Sequence, residues 1–119
     1  MANPFVHVEL MTTDLDKSKK FYQSMFDWKL EDIPDMNYTV IKVGEGTGGG
    51  MMKVPMPGMP SAWIAYVLVD DVAAATEKAQ SLGATIVKSV TEVPGMGLFS
   101  VMVDPTGASI AMWQPKMGA

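Results

Sequence analysis

The 119-residue chain contains no cysteine, which excludes zinc fingers, thiolate metal centres, CxxC redox chemistry and a cysteine nucleophile. Nor does it contain arginine: all nine bases are lysine, against thirteen acids, for a net charge of −4. Arginine is the side chain that forks onto phosphate, carboxylate and guanine edges, so its absence argues against nucleic acid and against a clamped anionic substrate. Histidine occurs once, as His7. No apolar run approaches the roughly 20 residues that a membrane span requires. Met1 to Glu9 also lacks the basic start and long apolar stretch of a signal peptide. These absences predict a cytoplasmic protein that binds neither nucleic acid nor membrane.

What is present is 48% hydrophobic and only 18% charged, the composition of one soluble domain. A chain of this length buries roughly two-thirds of its unfolded surface on folding, enough for a core without disulfides or a structural metal. Twelve residues are methionine. Met51, Met52, Met56 and Met59 crowd one stretch.

The hydrophobic pattern divides the chain into two similar halves. Phe5 to Met11 reads as a strand with Val6, Val8 and Leu10 on one face and His7, Glu9 and Met11 on the other. Asp14 is placed to cap a helix reaching Phe26, on which Leu15, Ser18, Tyr22 and Met25 recur at helical spacing. Strands follow over Asp27 to Ile33, Asn37 to Val43 and Met51 to Val54, the last preceded by a glycine-rich turn, Gly44 to Gly50. That turn lacks the Gly-Lys-Ser/Thr ending and the helix that a phosphate loop requires. In the second half, Trp63 to Val69 is a strand and Asp71 caps a helix over Val72 to Leu82 that Gly83 ends. Strands over Ala84 to Val90, Leu98 to Val103 and Ala108 to Gln114 complete it, with Asp104-Pro105-Thr106-Gly107 as a type I turn. Aligning Asp14 with Asp71, an offset of 71 − 14 = 57, sets His7 on Ile64, Glu9 on Tyr66 and Met11 on Leu68.

The predicted fold class is therefore α+β, one domain of two tandem βαβββ modules. Module 1 covers about 1–57 and module 2 about 61–119, with a Pro/Gly/Met linker at 55–60. The modules are expected to form a curved mixed sheet around a cup, with helices on the outer face. A doubly wound parallel sheet would need a helix after nearly every strand, and here three strands follow each helix.

Five segments in this order resemble the vicinal oxygen chelate superfamily, which includes glyoxalase I, extradiol dioxygenases, fosfomycin-resistance enzymes and bleomycin-binding proteins. They are His7-Val-Glu-Leu, Asp14 to Tyr22, Phe26-Asp-Trp28, Tyr66 to Asp71 with Leu82-Gly83, and Asp104-Pro-Thr-Gly-Ala108. The resemblance implies a divalent metal held by His or Glu from the first, fourth, fifth and eighth strands. His7 matches the first of these positions. The others fall near Met52, on Ile64 and on Ala111, where no oxygen or nitrogen donor is available, and a shift of one residue supplies none. One histidine cannot hold a catalytic divalent ion, so no metal and no other cofactor is expected.

The resemblance and the strand faces together name candidate residues. His7, with an ordinary pKa near 6.5, and Glu9, on the same strand face, form a possible acid/base pair. The same face is expected to carry the ligand contacts Met52, Ile64, Tyr66, Ala111 and Trp113, whose aromatic rings suit a flat or apolar molecule. Three functions are consistent with this set. The first is a metal-independent member that binds a small, partly hydrophobic molecule in its cup. The second is a lyase, isomerase or dioxygenase-like enzyme of glyoxalase type, using His7 with Glu9 for proton transfer. The third is a protein-interaction module docking through its Met-rich surface. Glutathione and fosfomycin carry carboxylate or phosphonate groups, which the lack of arginine disfavours as substrates. The resemblance also implies a homodimer.

Overall fold

The computed structural model describes residues 2–54 and 57–116. Pro55 and Met56 of the expected linker lie outside the described residues. The chain forms two compact units, one spanning His7–Ile64 and the other joining Met1–Val6 to Ala65–Ala119. The fold is α+β, and each unit has the βαβββ element pattern.

In the first unit, β1 (Phe5–Thr12) leads to α1 (Leu15–Met25), β2 (Lys29–Ile33), β3 (Tyr38–Lys42) and β4 (Gly49–Lys53). The strands lie in the order β2-β3-β4-β1, antiparallel except for the parallel β1–β4 pair. Asp14 caps α1 as its position predicted, its side chain accepting from the Lys17 backbone N–H at 3.0 Å. A short 3-10 turn, Pro34–Met36, connects β2 to β3 and ends on Asn37 at φ 49°. The core of this unit is Leu10, Ile41 and Met51, with Leu15, Tyr22, Trp28, Leu30 and Val43 packed against it. Met51 is completely buried. The inward stripe of α1 is one turn shorter than its periodicity predicted, because Met25 is 57% exposed and Phe26 leaves the helix as its C-cap.

The second unit repeats the plan with β5 (Ala62–Leu68), α2 (Val72–Ser81), β6 (Thr85–Val93), β7 (Gly97–Val103) and β8 (Ser109–Pro115). Its strands lie in the order β5-β8-β7-β6, again with one parallel pair, β5–β8. Asp71 caps α2 by accepting from the Ala74 N–H, and Gln114 on β8 adds a second cap, its Oε1 accepting from the Val72 N–H at 2.8 Å. Thr76 and Ser100 join α2 to β7 through a buried hydroxyl pair at 2.8 Å. The Asp104 turn forms as predicted. Its carboxylate accepts from Thr106 and from the Ala108 N–H, and these bonds hold its pKa below the usual carboxylate value, Thr106 contributing most. The residues ahead of β1 belong here as well, Asn3 Nδ2 donating to the Leu68 carbonyl and the Leu68 N–H to the Pro4 carbonyl.

Strand boundaries shift by one to three residues from the pattern reading. The largest difference in kind is at Gly49 and Gly50, expected in a turn and found inside β4. No described helix is long and apolar enough to cross a membrane.

Candidate functional site

Strand alternation in the first unit separates two sheet faces. The α1 face carries Val8 and Leu10 of β1, Thr39 and Ile41 of β3, and Gly49 and Met51 of β4. The opposite face carries His7 and Glu9, Tyr38 and Val40, and Gly50 and Met52, with Glu9, Val40 and Gly50 in one cross-strand row.

On this second face the structure brings together two residues that sequence reading had not connected. His7 Nε2 and the Tyr38 hydroxyl are hydrogen-bonded at 2.7 Å, and their rings stack with centroids 6.4 Å apart and planes 22° from parallel. The pairing depends on Gly50, because a Cβ at that position would overlap the Tyr38 hydroxyl and ring. Tyr38 reaches His7 across β4 through the space that a side chain would occupy. His7 is half-buried, and desolvation lowers its pKa from 6.5. This shift favours the uncharged imidazole. When its proton sits on Nδ1, the phenol donates to Nε2.

Glu9 lies on the same face, as its strand parity predicted, and is only 4% exposed. Every buried side-chain nitrogen or oxygen among the described residues has a hydrogen-bond partner, as a buried carboxyl requires. Met52 shares the face and is half-buried, and Ile64 is buried.

In the second unit, Tyr66 pairs in register with Ala111 and that residue with Val101, while Leu68 pairs with Trp113 and that residue with Phe99. These six share one face. Tyr66 and Phe99 rings stand 6.3 Å apart at 55°, and Tyr66 is 4% exposed. The parity expected of Tyr66, Ala111 and Trp113 holds, and Phe99 joins them unpredicted.

A divalent metal, the group that the fold implies, does not fit the residues present. Ile64 and Ala111 offer only hydrocarbon, Met52 a thioether, and His7 Nε2 is engaged by Tyr38. Among the described residues no three His, Asp or Glu side chains gather where they could hold an ion. What the His7 face offers is a neutral imidazole and a phenol, which can share one proton or present one donor and one acceptor to a small polar group.

Sequence reasoning missed Tyr38 because the strand pattern identifies its face but not its reach. The signal lay in the glycine run opposite it. A strand interior with Gly at 50 marks close approach by something else, but only the β3–β4 register shows that Tyr38 is what approaches.

Comparison with known proteins agrees with this architecture. The model of the Glyoxalase/Bleomycin resistance protein/Dioxygenase superfamily matches residues 5–112. The protein named "Putative glyoxylase CFP32" of Mycobacterium bovis is 34% identical over 110 residues, covering 90% of this chain and 42% of that protein. "Anthracycline biosynthesis protein DnrV" of Streptomyces peucetius is 26% identical over 123 residues, covering 89% of this chain and 45% of that protein. The chain thus spans less than half the length of these relatives. A superfamily member from Vibrio splendidus 12B01 has a similar fold, with TM-score 0.66, 13% identity and coverage of 97% of this chain and all of that one. A matching family model over almost the whole chain, a relative at 34% identity and a repeated βαβββ plan lead to one conclusion: the chain belongs to the glyoxalase/bleomycin resistance protein/dioxygenase superfamily.

Proposed function

We propose that this chain is a metal-independent member of the superfamily that binds a small, partly hydrophobic molecule, with the His7–Tyr38 pair as its polar anchor. The observation that carries this reading is the 2.7 Å bond between His7 Nε2 and the Tyr38 hydroxyl, at the position where the family resemblance implies a metal ligand. A neutral imidazole and a phenol favour an uncharged polar group on the ligand over a carboxylate or phosphonate. Glu9, Met52 and Ile64 are the further contacts proposed for it in this unit, and Tyr66, Ala111 and Trp113 are proposed as ligand contacts of the other unit. The proposal includes a cytoplasmic location and a homodimer. The dimer is supported by relatives more than twice as long as the stretch they share with this chain.

The test is thermal stabilisation of the purified chain by a panel of neutral bicyclic and monocyclic molecules bearing one carbonyl or hydroxyl group. A compound that stabilises the wild type is expected to lose at least tenfold in affinity with Tyr38→Phe and with His7→Ala. Equal affinity in both variants would defeat the reading.

A second reading, proton transfer at a carbon acid, is favoured by the lowered pKa of His7. It leaves the base form populated at neutral pH. Here Tyr38 holds the imidazole, so the working pair is His7 with Tyr38, and Glu9 stands two residues further along the strand. Turnover abolished by His7→Ala with binding retained would select this reading over pure binding.

A further inference from the structure

The two glycines that open β4 bear on both faces of the first unit. Gly50 leaves its space to Tyr38. Gly49 lies on the α1 face by strand parity, in register with Val8 on one side and Ile41 on the other, and a Cβ there would overlap the Val8 backbone carbonyl, so the position admits no side chain. The adjoining row of Leu10, Met51 and Thr39 is filled and buried. Beside this bare stretch of backbone lies a cavity of about 280 Å³ lined by Val8, Ile41, Val43, Thr47, Gly48 and Gly49, with Trp28 and Trp63 as its two aromatic walls.

The walls are held by an aromatic array. Tyr22 stacks 5.8 Å from Trp28 at 22° and meets Trp63 edge-on at 5.4 Å. Its hydroxyl accepts from Trp63 Nε1 at 3.2 Å, so that indole N–H is engaged and Trp63 offers the cavity only ring surface. Trp28 and Trp63 stand 6.4 Å apart at 75°, in edge-to-face contact with each other, so they form a corner against which a ring can stack. No charged residue lines the space. Besides the engaged Trp63 indole, the side chains there with a hydrogen-bonding group are Thr47 and Trp28, through its indole N–H, and the Gly48 carbonyl already accepts from the Val8 N–H. The volume lies just below the usual range of ligand pockets, which limits the ligand to a small molecule.

We infer that this cavity, on the sheet face opposite His7, is a second binding site, for an uncharged aromatic molecule of one or two rings carrying a single polar group. It is independent of the His7–Tyr38 site and does not require that site to bind anything. Its ligand lies against the corner formed by the two tryptophans, covers the Gly49 backbone and turns its polar group toward Thr47.

The test uses the full chain labelled with nitrogen-15 and titrated with coumarin, a neutral two-ring lactone. Of the three tryptophan indole N–H signals, those of Trp28 and Trp63 are expected to shift saturably, with half-saturation near or below about 1 mM. Trp113, in the other unit, stays unmoved as an internal reference. Naphthalene-2-sulfonate, of the same ring size but charged, is expected to bind at least tenfold more weakly. Val43→Phe, which fills the space, should weaken coumarin binding at least tenfold. Trp63→Ala removes a wall from a position that is 40% exposed, so it serves should the first variant fail to fold. The inference is overturned by any of four results: no saturable shift, a shift of Trp113 equal to the others, unchanged affinity in the folded variants, or indole signals that follow protein concentration without coumarin. The last would mean that a second copy of the chain fills the cavity.

Discussion

The Tyr38 hydroxyl occupies the space that a side chain at Gly50 would take, and from there it reaches His7 Nε2 at 2.7 Å. A small residue on one strand thereby sets the partner of an imidazole on the next. Gly50→Ala is expected to push Tyr38 out and to destabilise the fold by roughly 1–3 kcal/mol, the usual cost of overpacking. Adding Tyr38→Ala should recover part of that loss, because the methyl then meets no ring. Chemical denaturation of the two single variants and the double variant measures the coupling, and strictly additive effects would contradict it.

Protonation of His7 gives a pH signature. Its folded pKa is lowered by burial, so between the ordinary value of 6.5 and the folded value the unfolded chain binds more protons. The His7 contribution is fully present above about pH 6.5. It is lost progressively as pH falls through the folded value, below which it changes no further. The midpoint of thermal unfolding should fall across this window, and His7→Gln should flatten the profile there. A profile unchanged by the substitution would refute the assignment.

The two methionines at 51 and 52 should behave oppositely under truncation. Met51 is completely buried against Leu10 and Ile41, so Met51→Ala should cost about 2–5 kcal/mol. Met52, half-buried on the His7 face, should cost much less. Urea denaturation of each variant decides this.

Thr76 and Ser100 are hydroxyl partners at 2.8 Å and both are buried. Thr76→Val leaves the Ser100 hydroxyl without that partner and should cost about 1–3 kcal/mol. Thr76→Val combined with Ser100→Ala should be more stable than the single valine variant. The ordering of three unfolding midpoints is the readout.

Much of this fold was legible in the sequence because its signals are local. The Asp14 and Asp71 caps, the Asp104 turn and the alternation along β1 each depend on a few neighbouring residues, and each formed where the pattern placed it. The offset of 57 between the caps also carries the first residue of β1, Phe5, onto the first residue of β5, Ala62. The His7 face was legible only as a parity. Its working contact joins residues 31 apart in sequence, and that contact depends on register and on a missing side chain, neither of which periodicity encodes. The same limit explains Gly49 and Gly50. Three consecutive glycines read as a turn, but pairing with β1 and β3 draws the last two into a strand.

Asn3 and Pro4 are hydrogen-bonded to Leu68, which follows Asn3 by 65 positions. The segment from His7 to Ile64, by contrast, contains the strand partners of β2, β3 and β4 within itself. Joining Asn3 to Leu68 closes a long loop, and its entropy must be met before that contact returns anything. The nearer pairings within His7–Ile64 are therefore expected to form ahead of it, and the Asn3–Leu68 bond to close late in folding.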